Sequence, residues 1–218
     1  MTEKELFDHL CAMAERTGRG PQPPFAPVAL PLHPDDPIDY GKLREEVMEE
    51  ALGPADYIFY SSLGAPHIDV SRHPPRVGRP FWCFVTNGMS DFPQLLPDGS
   101  TFRSELMCAT RESSASAPDL LQVLATFPFR CDTFLHLYHT VPFPEGVENP
   151  AFTHVMTIPP FLVPDLAKAR FLGERLVLMS IIVITDQERE SAVREGSEAL
   201  VERLPDLLDT WLIDARKP

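Results

Sequence analysis

Short apolar runs alternate with amphipathic stretches along most of the chain. The run Leu176–Ile184 contains nine residues without a charge, and Phe81–Val85 is apolar at all five positions. Runs of this length, rich in branched or aromatic side chains, predict strands that are buried on both faces, and Leu176–Ile184 is expected to be the most deeply buried of them. Three further segments complete the predicted sheet: Tyr57–Tyr60, Ile68–Val70 and Leu106–Cys108.

Apolar positions at helical spacing predict helices around these strands. An acidic helix is predicted over Asp39–Leu52, and a central helix over Asp119–Phe134 that is kinked or divided at Pro128. Arg189–Trp211 predicts a long terminal helix, bent or broken at Pro205. This helix is expected to pack on the sheet through three apolar side chains, Val193, Leu200 and Leu204. Strands in the middle with helices between and around them indicate the α+β class.

The first 38 residues have a different composition. Residues 3–17 predict a short amphipathic helix, and seven of the 24 prolines follow between Pro21 and Pro37. Proline fixes its own φ and biases the preceding residue, so this piece is expected to run extended over the surface. We therefore divide the chain into an N-terminal helix with a proline-rich segment, residues 1–38, and one α+β domain, residues 39–218.

The charge balance limits the classes of partner. Lys and Arg number 19 against 32 Asp and Glu, which gives a formal net charge of −13. Such a chain does not suit broad contact with phosphate backbones, so no nucleic acid is predicted as a partner. No apolar run reaches the roughly 20 residues that span a bilayer, and the first residues do not resemble a leader. We expect a cytoplasmic protein without a membrane partner.

Most of the negative charge lies in two segments. Asp35–Asp56 contains eight acidic and two basic residues, and Asp186–Asp209 contains eight and three. One interpretation is two solvated helix faces. The other is a negative surface that steers a basic protein partner toward the chain and covers it.

The common catalytic motifs are absent from the sequence. It contains no G-x-S-x-G elbow, no G-x-x-x-x-G-K-[ST] loop, no G-x-G-x-x-G after a strand and no H-E-x-x-H. Ser90 has no histidine nearby in the sequence to activate its hydroxyl. Glu105 is interpreted as a salt-bridge partner rather than as an acid catalyst. We expect a protein without enzymatic activity, and keep as the alternative a small hydrolase that uses Ser90, Asp91 and His139.

The histidines and cysteines do not indicate a metal site. His136 and His139 are three residues apart and, with His154, would supply three imidazoles. The prolines that follow predict extended chain there, and residues three apart in extended chain point to opposite faces. His67 and His73 lie among prolines in a predicted solvent-facing loop. The four cysteines form no C-x-x-C pair and are expected to be buried, reduced thiols. Neither a metal nor a cofactor is predicted.

Five segments in chain order resemble the motifs of the suppressor of fused domain. Thr86–Ser90 resembles its T-[SN]-G-M-S signature, and Glu105–Met107 resembles the E-L strand that follows. Asp119–Ala125 is similar to the central helix of the family, and Tyr138–Val141 to its G-H-T-[IV] strand. Val183–Gly196 resembles the closing P-I-T-x-x-E…G pattern. The last two segments each differ from the family pattern at their first position.

This resemblance implies an α+β domain with a mixed, largely antiparallel central sheet flanked by helices. It implies that the domain holds other proteins, without catalysis and without a cofactor. Stand-alone bacterial members look like immunity or antitoxin proteins, so the implied partner is a toxin domain or another protein. In eukaryotic relatives the ligand pocket uses an aromatic residue late in the central helix and an acidic residue on the next strand. The matching positions here are Phe127 and His139.

The candidate partner-binding residues follow from the resemblance and from the charge together. Phe127 and His139 are expected to line the groove that binds the partner. Three carboxylates of the acidic helix are expected to accelerate the encounter with a basic partner: Glu45, Glu46 and Glu49. The identity of that partner and the oligomeric state are not encoded in these patterns.

Overall fold

The computed structural model describes residues 40–61, 66–142, 151–163, 166, 176–205 and 208–217. The helix predicted over residues 3–17 and the proline-rich segment lie outside these ranges. The division of the chain after residue 38 therefore stays a prediction.

One mixed sheet forms the centre of the described structure. Its strands are β1 (Tyr57–Phe59), β2 (Asp69–His73), β3 (Trp82–Asn87), β4 (Gln94–Leu95), β5 (Thr101–Thr110), β6 (Thr140–Pro142), β7 (His154–Ile158) and β8 (Leu176–Ile184). The strand order is β1-β2-β3-β5-β8-β7-β6, and the short β4 pairs with β5. β5 and β8 run parallel, while the other pairs are antiparallel. This confirms the expected α+β fold with a mixed, largely antiparallel sheet.

Helices flank the sheet on both faces. They are α1 (Tyr40–Leu52), α2 (Ser116–Arg130), α3 (Asp186–Glu195), α4 (Ser197–Arg203) and α5 (Leu208–Trp211), with a 3₁₀ turn at Met89–Asp91. The acidic helix is confirmed as α1. The central helix begins three residues earlier than predicted, continues through Pro128 and ends at Arg130. No helix in the described part of the chain is long and apolar enough to cross a membrane.

The sheet separates two apolar layers because successive side chains of a strand point to opposite faces. On one face α2 covers Phe84 and Cys108 through Leu121 and its neighbours. On the other face α1 covers Cys83 and Met107. Burial on both sides explains why residues 82–85 of β3 and 106–109 of β5 are continuous apolar runs.

Two of the cysteines lie in these apolar layers as free thiols, and a third is oxidised. Cys83 and Cys108 are buried free thiols, and burial raises the pKa of Cys83 to about 11. Cys131 is disulfide-bonded. The expectation of reduced thiols throughout is therefore wrong at that residue.

The predicted strand Leu176–Ile184 is confirmed as β8, between β5 and β7. Ile181 packs with α2, whereas Ile182 packs with α3 and α4 on the opposite face. Its expected rank as the most deeply buried strand is wrong. Six of its nine residues are buried, against eight of ten in β5.

The terminal helix is broken earlier than the apolar spacing predicts. Gly196 has φ +100, and it ends α3 and begins α4. The resulting change of direction places Leu200 in the core, with Leu204 packed against it, but leaves the side chain of Val193 71% exposed. The prediction that Val193 packs on the sheet is wrong, because it extended one helical period across a glycine with left-handed φ.

His73 also departs from the sequence expectation. It lies in β2 and is buried, where a solvent-facing loop was expected. Its Nδ1 lies 2.8 Å from the Gly53 carbonyl oxygen and its Nε2 lies 3.0 Å from Ser71 Oγ. His73 thus joins the end of α1 to the sheet, while His67 is exposed and lies 2.9 Å from Asp69.

Folding stability is expected to fall as the pH is lowered toward 5.5, and His73 contributes to this loss. Burial lowers the pKa of His73 below its ordinary value of 6.5, which the unfolded chain retains. In the acid range the unfolded state then binds more protons than the folded state. The stabilisation that neutral His73 contributes is therefore complete above about pH 6.5 and is lost as the pH falls through the pKa of His73 in the folded state. Urea unfolding of wild type and His73→Gln at pH 7.5 and 5.5 measures this loss of folding stability. His73→Gln should lose less stability than wild type on acidification; equal losses in the two proteins would contradict the assignment.

Candidate partner-binding site

A buried carboxylate organises the segment that follows β3. Glu105, on β5, is fully buried. Its Oε1 accepts hydrogen bonds from the backbone N–H groups of Gly88 at 3.1 Å and Ser90 at 3.0 Å, and from Ser90 Oγ at 2.7 Å. Thr86 Oγ1 donates to the other oxygen at 2.6 Å. The Thr86–Ser90 segment therefore wraps around one side chain.

Arg44 of α1 completes this buried cluster. Its Nε lies 3.5 Å from Glu105 Oε1, and its Nη1 donates to Ser90 Oγ at 3.0 Å and to Asp91 Oδ1 at 2.6 Å. Burial raises the pKa of Glu105, and the Arg44 guanidinium and the hydrogen bonds from Thr86 and Ser90 oppose that shift. We assign Glu105 as a carboxylate, because the two backbone N–H groups at Oε1 are obligatory donors. The interpretation of Glu105 as a salt-bridge partner agrees with this geometry.

Gly88 is required by both conformation and space. Its φ is +123, and a Cβ built at this position would lie 2.8 Å from the carbonyl oxygen of His67. Any other residue would meet the backbone of the adjacent loop. The glycine lets the chain turn tightly enough to aim its N–H at Glu105.

The geometry around Ser90 does not favour the hydrolase alternative. Ser90 is 3% exposed, and its hydroxyl is engaged by Glu105 and Arg44. His139 lies in a different place, with its ring 5.0 Å from Phe134 and its backbone N–H 3.1 Å from Thr157 Oγ1. A nucleophile needs an accessible oxygen next to a base. The described contacts place Ser90 in a structural cluster instead.

The loop between α2 and β6 brings the two neighbouring histidines together. The rings of His136 and His139 have centroids 6.3 Å apart, where extended chain would have pointed them to opposite faces. The turn arises at Tyr138, which has φ +66 and donates its N–H to the Thr157 carbonyl at 2.7 Å. The argument from extended chain is therefore wrong. No group of three or more His, Cys, Asp or Glu that would hold a metal exists within the described residues.

The predicted groove residues lie at the two ends of this segment. Phe127, in the last turn of α2, is partly buried and packs against the core layer that α2 covers. His139 is also partly buried and lies directly before β6, which among the described strands pairs with β7 alone and stands last in the strand order. Both side chains retain some accessible surface, as a contact residue requires.

The predicted steering residues are exposed on α1. Glu45, Glu46 and Glu49 all face solvent. Glu45 accepts a hydrogen bond from Asn87 Nδ2 at 3.2 Å, and Glu46 lies 3.9 Å from Lys42. Among the described residues the one ion pair in this group is that of Glu46 with Lys42.

Comparison with known proteins settles the family. The model of the suppressor of fused protein (SUFU) family matches residues 64–217, which is more than half of the chain. The chain belongs to the suppressor of fused family. The matched residues include the Thr86–Ser90 segment, Glu105 and the loop before β6, so the resemblance seen in the sequence is confirmed. No curated protein matches the chain.

Solved structures show the same fold at low sequence identity. A suppressor of fused homologue from Neisseria gonorrhoeae FA 1090 superposes with a TM-score of 0.63 at 18% identity, covering 83% of this chain and 96% of that one. A structure described as the Sufu–Fu complex gives 0.59 at 15% identity, over 79% and 88%. Drosophila Suppressor of Fused gives 0.51 at 17% identity, over 69% of this chain and 42% of that one.

Three residues of this family member escaped the sequence reasoning. Arg44 is one of two basic residues in the acidic segment, and that was the only signal of its pairing with Glu105. Tyr138 was noted only as a departure from the family glycine, although its positive φ explains why glycine suits the position. Thr157, which is buried and fixes the histidine loop through its Oγ1, had no sequence signal.

Proposed function

We propose that this chain is a non-catalytic protein-binding module of the suppressor of fused family. The observation that carries the proposal is the family match over residues 64–217. It is supported by a structural relative that was solved as a complex, Sufu with Fu. The engaged and buried Ser90 adds support, because it removes the residue on which the hydrolase alternative depended.

The proposed partner contacts the module through Phe127 and His139. Phe127 is a partly exposed aromatic side chain on a rigid helix, and aromatic anchors dominate the energetics of many interfaces. His139 lies directly before β6, and no strand of the described residues pairs with the outer side of β6, so the partner is proposed to pair with its backbone there. The two residues therefore offer an apolar contact and a polar contact.

The partner is proposed to be basic, most concretely a secreted toxin domain that a bacterial immunity protein covers. The net charge of −13 and the exposed Glu45, Glu46 and Glu49 favour a cationic surface. A structural relative comes from the bacterium Neisseria gonorrhoeae. Opposite charge accelerates association and makes it sensitive to salt. Co-expression with the product of the neighbouring reading frame tests the toxin assignment, because rescue of growth is expected.

Surface plasmon resonance on the purified partner is expected to separate the two contributions. Phe127→Ala should raise the off-rate about tenfold or more, because it removes an anchor from the bound state. Reversal of Glu45, Glu46 and Glu49 to lysine should mainly lower the on-rate. Raising the salt concentration should slow association of wild type more than it speeds dissociation.

Phe129→Ala is the matched control for Phe127→Ala. It lies two residues later in α2 and is also partly buried, with its ring 5.7 Å from Phe92. A general loss of helix packing would affect both variants, whereas a contact role affects only Phe127. Wild-type rates for Phe127→Ala and for the charge reversal would place the partner elsewhere.

A further inference from the structure

Tyr138 is presented at the surface by an unusual backbone. Its φ of +66 turns the loop, and its N–H is fixed to β7 through the Thr157 carbonyl at 2.7 Å. The ring is partly buried against the apolar cluster that α3, α4 and α5 form on β7 and β8. Its hydroxyl has no hydrogen-bond partner among the described residues. The ring is therefore held in place by its backbone and its apolar contacts while part of its surface stays accessible.

Two carboxylates of α4 flank this ring. Leu200 and Val201 of α4 belong to the cluster on which Tyr138 packs, and Glu198 and Glu202 are exposed beside them. Residues four apart share one face of a helix, so both carboxylates lie on the same side. The negative charges of Glu198 and Glu202 act, after burial, to raise the pKa of the Tyr138 phenol, which places them within electrostatic reach of it.

These carboxylates differ from Glu188 and Glu195 of α3, which are neutralised by arginines. Glu188 pairs with Arg216, and Glu195 pairs with Arg194 and Arg203. Within the part of the chain that the structure describes, neither Glu198 nor Glu202 forms an ion pair. The surface around Tyr138 thus combines an aromatic ring with two uncompensated negative charges.

We infer that Tyr138, Glu198 and Glu202 form a docking surface for an arginine side chain of the protein partner. A planar guanidinium stacks on an aromatic face and donates paired hydrogen bonds to a carboxylate. Lysine presents a more strongly hydrated point charge and makes only one of these contacts well. The inference rests on the proposed function, since it names the chemistry of the partner that the module holds.

A labelled peptide with three arginines separated by glycines tests the inference without the natural partner. Fluorescence anisotropy is measured at low and at physiological salt, beside the peptide in which lysine replaces arginine. The arginine peptide should bind at least about threefold more tightly than the lysine peptide. Glu198→Gln/Glu202→Gln should weaken the arginine peptide at least about fivefold. Tyr138→Leu should remove the preference for arginine while both peptides still bind through charge.

Glu50→Gln/Glu112→Gln is the matched control, because it removes two exposed carboxylates elsewhere and changes the net charge equally. It should weaken the arginine peptide less than twofold. Equal weakening by the two double variants would show attraction by net charge alone and would overturn the inference. Absence of saturable binding, or an arginine preference that persists in Tyr138→Leu, would overturn it as well.

The outcome is separable from that of the proposed function. A partner that depends on Phe127 but binds Glu198→Gln/Glu202→Gln with wild-type affinity would leave the binding module standing and remove the arginine surface. A partner that binds normally to Phe127→Ala but loses affinity in the α4 variant would retain the arginine surface and relocate the rest of the interface.

Discussion

Glu105→Ala should destabilise the protein by about 3–5 kcal/mol, which is the usual cost of breaking a buried ion pair from one side. The substitution leaves the Arg44 guanidinium buried near Ser90, and it removes the acceptor for the N–H groups of Gly88 and Ser90. Unsatisfied buried donors add to the loss. Urea unfolding followed by tryptophan fluorescence measures the change in the free energy of unfolding.

A double-mutant cycle with Arg44→Met sharpens this test. If the two side chains stabilise each other, the double variant should cost clearly less than the sum of the single variants. The reason is that the double variant removes both charges of the buried pair, whereas each single variant leaves one of them behind. Glu50→Ala on the exposed face of α1 serves as the control and should stay within about 0.5 kcal/mol of wild type. Additive single costs would show that Arg44 and Glu105 act independently.

Ile182→Asp should be the most damaging single substitution that we propose, at about 4–5 kcal/mol or more. Ile182 is 1% exposed on β8, between β5 and β7, and packs with α3 and α4. A carboxylate there has no partner, and an unpaired buried charge is among the largest costs known for point mutations. The expected result is a large fall in the denaturation midpoint or loss of the folded protein.

Two companion variants keep this prediction testable if the aspartate protein does not fold. Ile182→Val should cost about 0.5–1.5 kcal/mol, as expected for one methylene lost from a packed core. Val193→Asp introduces the same charge on α3, where the side chain is 71% exposed, and should change stability by less than about 0.5 kcal/mol. An unchanged midpoint for Ile182→Asp would contradict the placement of β8.

The sequence was most informative where one local pattern determines the structure. The uncharged run of β8 and the aromatic run of β3 predict strands, because only a sheet interior accommodates such segments at that length. The break at Gly196 was missed because apolar spacing alone does not report φ. The burial of His73 was missed because neighbouring prolines suggested a loop, whereas the imidazole is satisfied by Gly53 and Ser71.

The candidate site depended on contacts between distant parts of the chain. The Thr86–Ser90 segment was recognised through the family motif, but Glu105 and Arg44 come together only after β3, β5 and α1 have packed. Likewise, the approach of Tyr138 to α4 joins residues about 60 positions apart, and no periodicity reports it. The choice of Phe127 and His139 followed from the resemblance rather than from the pattern of the residues, and their role in binding stays a prediction.

The parallel pairing of β5 with β8 has a consequence for the order of folding. β1, β2, β3 and β5 form one ladder from neighbouring segments, and β6 and β7 form an antiparallel pair. Among the described strands, β8, about 70 residues after β5, is the one that joins the two parts. Closing so long a loop must precede any gain from the contact, so the pairing of β5 with β8 is expected to limit the folding rate. Until β8 pairs with it, β5 presents an unpaired edge on the side opposite to β3. The folding chain is most prone to aggregate at that stage.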